Sequence, residues 1–178
     1  MFEADQIARA AAGDGRAQSA LVQAHMPRVY ATAQRMLKDR HEAEDVTQEA
    51  FIRAWKALPS WEPRARFSTW LHRVTLNLCY DRLRKRREET GADELPERID
   101  QRLRPDEALE QRQKVDAIEA AIDALPERQK AALTLCSLQG FGNIEAAEIM
   151  EISVEALESL LSRARRKLKS TLRLEGGR

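Results

Sequence analysis

A row of polar side chains that could recognise another molecule runs along the predicted helix Phe67–Arg87. Its members recur at steps of four, four and three residues and therefore share one face: Arg73, Asn77, Asp81 and Arg84, with Tyr80 and Arg87 beside them. Amide and carboxylate groups can hydrogen-bond exposed base edges, and guanidinium groups can hold phosphates. A solvated basic helix end would carry similar charges. This stretch alone therefore leaves nucleic-acid contact and a merely exposed face open.

The other face of this helix is apolar and predicts packing into a core. Its stripe consists of Phe67, Trp70, Leu71, Val74 and Leu78. We expect the neighbouring aromatic residues Trp55 and Trp61 to fill the same core. The helix ends in five bases, which suit the negative end of a helix dipole and would also attract phosphate: Arg82, Arg84, Lys85, Arg86 and Arg87.

Composition indicates an all-α fold. The 178 residues include only 7 Gly and 6 Pro, and no stretch alternates as a half-buried strand does. With 30 Lys and Arg against 29 Asp and Glu, the net charge of +1 favours no class of partner. The bases are instead concentrated at two predicted helix ends, 82–87 and 163–173.

The same sequence argues against a membrane, metal or redox protein. No apolar run approaches the roughly 20 residues that span a bilayer, and the N-terminus lacks the pattern of a signal peptide. Cys79 and Cys136 lack metal-ligand spacing, and the three histidines, His25, His41 and His72, are scattered. We expect a cytoplasmic protein with buried thiols, no membrane insertion, no metal and no cofactor.

A first domain of four helices is predicted over residues 1–90. The helices cover about 3–12, 16–37, 40–58 and 67–87, and Pro27 would bend or interrupt the second. Asp39 and Glu42 form a capping box for the third helix. The apolar stripe of that helix consists of Ala43, Val46, Ala50, either Ile52 or Arg53, Ala54 and Leu58. Residues 60–66 are expected to form a loop, and residues 91–104 a flexible linker.

A second domain is predicted over residues 105–178. Pro105 and Pro126 suit first helical turns, and Gly140 suits a helix end. Asn143 is expected to cap a short helix, 144–150, and Ser153 a long one that ends near residue 174.

The last two helices have helix-turn-helix spacing. Ala147 is small where two helices would touch, and Leu157 and Leu160 would close the core. In this motif the second helix enters the major groove, and following bases hold phosphates. Two packed helices with a basic tail remain the alternative.

Four segments, in order and spanning nearly the whole chain, resemble a bacterial RNA polymerase sigma factor of the extracytoplasmic-function (ECF) group. They read AEDVTQEAFIRAWKALPSW (43–61), RFSTWLHRVTLNLCYDRLRKRR (66–87), DALPERQKAALTL (123–135) and EAAEIMEISVEALESLLSRARRKLK (145–169). The resemblance implies a sigma region 2-like domain at 1–90 and a sigma region 4-like domain at 105–178, joined by the linker.

The resemblance also implies site residues. The core polymerase-binding face, which docks on the clamp coiled coil of the largest subunit, would be Asp45, Gln48, Glu49 and Arg53. The −10 promoter element would be recognised and melted by Arg66, Arg73, Asn77, Tyr80, Asp81, Arg84, Lys85 and Arg87. The −35 element would be read by Glu155, Glu158, Ser159, Ser162, Arg163, Arg166 and Lys167.

The second domain departs from the family pattern at three positions. Relatives commonly have cations where this chain has Glu158 and Leu160, and Gly where it has Glu151. Glu151 stands at a turn position that can require a positive φ. A carboxylate can accept from cytosine N4, so that Glu155 or Glu158 could read a base.

The expected function is therefore that of a non-enzymatic alternative sigma factor, stress-responsive and controlled by an anti-sigma factor, with no small-molecule substrate. Its domains are expected to pack together when inhibited and to separate on the polymerase. Two alternatives remain: a stand-alone helix-turn-helix regulator, and a sigma-mimicking adapter that binds regulators but not promoters.

Overall fold

The computed structural model describes residues 2–61, 66–90 and 107–175, and within these ranges it contains helices and no strand. The first part comprises α1 (Phe2–Ala11), α2 (Gly15–Leu37), α3 (Arg40–Ala57), a 3₁₀ turn (Leu58–Ser60) and α4 (Phe67–Thr90). The second comprises α5 (Glu107–Asp123), α6 (Glu127–Leu133), a π-helical turn (Thr134–Leu138), α7 (Asn143–Met150) and α8 (Val154–Glu175). The predicted all-α class is confirmed. The predicted linker, 91–104, and Pro105 lie outside the described residues.

Side-chain caps start the N-terminal helices. The Asp14 carboxylate accepts from the backbone N–H of Arg16 at 2.9 Å, and Arg9 binds its other oxygen. The hydrogen bond from Arg9 holds the pKa of Asp14 below its usual range. Asp39 accepts from the N–H of Glu42 at 2.9 Å, as predicted, whereas the Glu42 carboxylate binds Arg86 of α4.

Helices α2, α3 and α4 pack around one apolar core, and α2 passes through Pro27 as a single helix. α3 contributes Ala43, Val46, Phe51 and Ala54. Ile52, which was predicted to belong to this stripe, is 45% exposed. The neighbouring Phe51 fills the core instead, because the helix is rotated so that Ile52 faces outward.

The buried arc of α4 is wider than its apolar stripe. Phe67, Leu71 and Leu78 are buried as predicted, but His72 and Thr75 are also fully buried. Trp61 and Trp70 meet edge to face with ring centroids 5.2 Å apart and pack against the core. The arc is wide because α4 contacts α2 and α3 on one side and α7 on the other. Cys79 lies in this core, where burial raises its pKa to about 12.

The C-terminal helices pack through the buried face of α8, which presents Leu157, Leu161 and Ala164. Ser153 caps α8 by accepting from the N–H of Ala156 at 3.2 Å. Asn143 was predicted to cap α7, but it does not. Gly142 holds that position, and Asn143 is the first helical residue, donating to Glu158 across the motif at 3.3 Å.

The two parts of the chain share a continuous buried core, in which α7 lies against α4. Gly140, with φ of +72°, reverses the chain after the π-helical turn. This reversal directs Phe141 against the N-terminal part, where it is buried. None of the helices in the described ranges is long and apolar enough to cross a membrane.

Candidate functional site

The polar stripe predicted on α3 lies on its outward face. Asp45, Gln48 and Arg53 are exposed and Glu49 is half-buried. The Arg53 guanidinium donates to the Glu49 carboxylate at 2.9 Å. The Arg82 guanidinium of α4 lies 3.9 Å from the Asp45 carboxylate. Ile52 stands in the middle of the stripe, four residues after Gln48 and three after Glu49. The face therefore combines acids and amides with a central exposed apolar side chain.

Part of the predicted row on α4 is free in the structure, and part of it contacts the C-terminal helices. Asn77, Asp81, Arg84 and Lys85 are exposed, and Arg84 donates to Asp81 at 2.8 Å. This pairing holds a carboxylate and a guanidinium side by side, and the Asn77 amide lies one turn earlier on the same face. The group can hydrogen-bond bases and phosphates together.

The other basic residues of the predicted −10 set contact acids on the C-terminal helices. The Arg73 guanidinium donates to the Glu148 backbone carbonyl at 3.1 Å and lies 3.7 Å from the carboxylates of Glu148 and Glu151. Arg66 lies 3.9 Å from Glu145, and Arg87 lies 3.5 Å from Glu127 of α6. These cations are engaged within the molecule in this conformation.

Tyr80 is half-buried among the groups that cover this side of α4. Burial raises the pKa of its phenol to about 12, and the charged groups of Arg128 and Glu127 act on it as well. Its hydroxyl is buried without a hydrogen-bond partner among the described residues.

Phe141 anchors the contact between the domains. Its ring meets His72 of α4 edge to face, with centroids 4.8 Å apart, and the Arg28 guanidinium lies 4.6 Å above the ring. Arg28 also donates to the backbone carbonyl of Gln139. Sequence reasoning missed these residues. The available signal was an aromatic residue that directly follows the helix-stopping Gly140.

The residues predicted to read −35 lie on the outer face of α8. Glu155, Glu158, Ser162, Arg163 and Arg166 are exposed, and Ser159 is half-buried. The Glu155 carboxyl forms hydrogen bonds with its own backbone and with the Ser153 side chain. These bonds, the backbone one above all, hold the pKa of Glu155 below its usual range.

Two members of the α8 set also support the fold. Glu158 accepts from Asn143, and the Lys167 ammonium donates to the Ala124 carbonyl at 2.8 Å, which ties α8 to the end of α5. Glu151 adopts φ of +53° at the turn between α7 and α8, the left-handed conformation anticipated for that position.

Comparison with known proteins agrees with this arrangement. Residues 21–89 match Sigma-70 region 2, and residues 116–168 match Sigma-70, region 4. SigW of Bacillus subtilis, an ECF RNA polymerase sigma factor, is 32% identical over 90% of this chain and 91% of its own length. SigE of Mycolicibacterium smegmatis is also an ECF RNA polymerase sigma factor and is 36% identical over 85% of this chain. The match spans 60% of the length of SigE.

A solved structure of CnrH in complex with the cytosolic domain of CnrY is similar over 95% of this chain and 96% of that chain. The TM-score is 0.73 and the identity 27%. Fold, motifs and relatives thus define a two-domain helical transcription initiation protein. The chain belongs to the ECF family of RNA polymerase sigma factors.

Proposed function

We propose that this protein acts in the cytoplasm as an alternative sigma factor that binds core RNA polymerase and directs promoter-specific initiation. The observation that carries the proposal is the presence of two separate polar recognition faces, one on α4 and one on α8. They lie within the region 2 and region 4 matches, respectively. The domain limits proposed are 1–90 and 105–178.

Polymerase binding is assigned to the outward face of α3, with Asp45, Gln48, Glu49 and Arg53. Acids and amides suit a partner that presents basic side chains, through charge-assisted hydrogen bonds. The clamp coiled coil of the largest subunit is the proposed partner. Ile52 adds an apolar contact at the centre of this face, where loss of water contributes most to binding.

Capture of the −10 element is assigned to α4 and Arg66. The exposed group Asn77, Asp81 and Arg84 would bind unpaired bases, and Lys85 would hold the backbone. Arg73, Tyr80 and Arg87 would join once the C-terminal domain moves away. Melting is then a consequence of binding, because the captured bases offset the free energy of unpairing.

Reading of the −35 element is assigned to α8. Ser159, Ser162, Arg163, Arg166 and Lys167 would contact phosphates or base edges in the major groove. Glu155 and Glu158 would favour cytosine at the positions that they face. Unchanged promoter preference in a Glu158→Ala variant would remove Glu158 from this role.

Control by an anti-sigma protein is the fourth part of the proposal. The similar protein CnrH was solved with the cytosolic domain of CnrY bound to it. We infer that this chain is likewise held by a protein partner.

A sigma-mimicking adapter is the second candidate, because Glu158 and Leu160 replace cations on the DNA-facing helix. In vitro transcription with purified core polymerase and genomic template separates these functions. Promoter-specific transcripts that require this protein support the sigma factor. Polymerase binding without transcripts indicates the adapter, and tight duplex binding without polymerase indicates a stand-alone regulator.

In the same assay, Asn77→Ala is expected to lower promoter opening about tenfold, because a base contact is lost. Lys85→Ala is expected to lower it only about twofold, because a single exposed phosphate contact is lost. Permanganate footprinting of the −10 region measures both. Equal losses would identify α4 as a general phosphate-binding helix.

A further inference from the structure

Glu158, on the recognition helix α8, is held by a side chain of α7. The Asn143 amide nitrogen donates to one carboxylate oxygen of Glu158 at 3.3 Å. Both side chains are exposed, and with Leu161, Ser162 and Arg165 they line an open groove of about 370 Å³ between the start of α7 and α8. The orientation of the Glu158 carboxylate therefore depends on the other helix of the motif.

Two contacts determine which end of the Asn143 amide faces Glu158. An ionised carboxylate accepts hydrogen bonds and donates none, so that the amide nitrogen must point toward it. On the other side, the Cys136 thiol, a weak donor, lies 4.0 Å from the amide oxygen. Burial raises the pKa of Cys136, which keeps this thiol protonated. The amide nitrogen of Asn143 is thus directed at Glu158.

This hydrogen bond matters most when DNA covers the groove. While the groove is open to water, an exposed hydrogen bond contributes little, because water solvates the carboxylate equally well. Against a base, water is excluded, and a carboxylate oxygen left without a donor costs free energy. Asn143 satisfies one oxygen and leaves the other to accept from a base. Arg165, seven residues after Glu158 on the same side of α8, places a positive charge beside this carboxylate among the phosphates.

We propose that Asn143 is a positioning residue that makes Glu158 select cytosine in the −35 element. The oxygen of Glu158 that Asn143 leaves free accepts from the cytosine N4 amine in the major groove. Adenine also presents an amine, but its N7 acceptor lies beside that amine and repels a carboxylate. The inference rests on the proposed function, in which α8 reads the −35 element. It adds that a residue of α7, outside the set assigned to base reading, decides what Glu158 recognises.

A glutamine in place of Glu158 tests this orientation, because an amide has one donor end and one acceptor end. Beside Asn143, whose nitrogen donates, the glutamine oxygen is occupied and its nitrogen faces the DNA. The preference of Glu158→Gln should therefore change to guanine or thymine, whose edges present acceptors. Adding Asn143→Asp reverses the orientation, because the new carboxylate accepts from the glutamine nitrogen. The glutamine oxygen then faces the DNA, and cytosine should be preferred again.

The experiment uses the holoenzyme formed by the full chain and core polymerase. Duplex DNA randomised over the −35 region is selected for binding, and sequencing of the bound DNA gives the base preference at each position. The unaltered protein should favour cytosine at least about fivefold at one position. Asn143→Ala should lower this preference about threefold. Glu158→Gln should lose it, and Asn143→Asp combined with Glu158→Gln should recover most of it.

The double variant is a matched control, because it has the net charge of the unaltered protein and hence the same general attraction to phosphates. A purely structural role of Asn143 would lower total affinity and leave the ranking of the four bases unchanged. The same ranking in all four proteins would overturn the inference and leave the proposed function standing. The absence of any −35 preference in all of them would remove the −35 part of the proposed function and the inference with it.

Discussion

At the scale of the residue, His72 shows how one buried group makes stability depend on pH. Its side chain is fully buried, its Nδ1 lies 2.9 Å from the Ser68 carbonyl, and its Nε2 has no partner among the described residues. Burial lowers the pKa of His72 to about 4, and the charges of Arg28 and His25 act in the same direction. The unfolded imidazole has a pKa of about 6.5. The folded protein therefore favours the neutral form of the His72 imidazole.

The pH dependence follows from this difference. The contribution of neutral His72 to the free energy of unfolding is fully present above pH 6.5 and is lost as pH falls from about 6.5 to 4, by about 3 kcal/mol. A His72→Leu variant should lack this part of the dependence. Urea unfolding of both proteins across this pH range measures the difference. Exposed His41→Leu should keep the wild-type profile, and the same slope in His72→Leu would refute the assignment.

At the scale of the element, α3 is a helix whose inner face builds the core while its outer face is free to bind. On the outer face of α3, Ile52 is 45% exposed. Met26 on α2 is exposed to the same extent. We expect Ile52→Ala to weaken core polymerase binding about three- to tenfold, because a central apolar contact is lost. Thermal stability should be nearly unchanged. Surface plasmon resonance with immobilised polymerase measures the affinity.

Met26→Ala is the matched control for Ile52→Ala, since it removes an equally exposed apolar side chain outside the α3 face. It should bind polymerase like the unaltered protein. A similar loss in both variants would mean that Ile52 has no special place in the docking surface.

At the scale of the whole molecule, the pair Lys38 and Asp123 tests whether the closed arrangement depends on charge polarity. The Asp123 side chain is only 9% exposed, so that screening by salt is weaker there than at α7. A compact chain of this length has a radius of gyration of about 16 Å. Lys38→Asp or Asp123→Lys alone should raise this value, because like charges then face each other across the contact.

The double variant with Lys38→Asp and Asp123→Lys should recover the smaller radius of gyration, because opposite charges face each other again. Small-angle X-ray scattering of the singles and the double measures this coupling. Glu44→Lys, a reversal within a local pair on α3, should leave the radius unchanged. A double variant that stays as expanded as the singles would show that the pair does not hold the domains together.

Much of the fold was predictable because helix signals are local. Asp39 and Ser153 were predicted as N-caps and do cap α3 and α8, and Gly140 lies where the chain was predicted to leave a helix. Asn143 was misassigned because cap preference alone does not distinguish an N-cap from the first helical residue. Its side chain is held by Glu158, 15 residues away, which no local rule detects.

The sequence by itself determined the helices, the family and which residues share a face of α3, α4 and α8, since helical periodicity depends only on spacing. Only the tertiary structure decided which faces are covered. It exposed Ile52, directed Phe141 against His72 and placed acids on Arg66 and Arg73. The reason is physical. Periodicity defines a face, but the partner of that face comes from distant segments whose contacts depend on the packing of the whole chain.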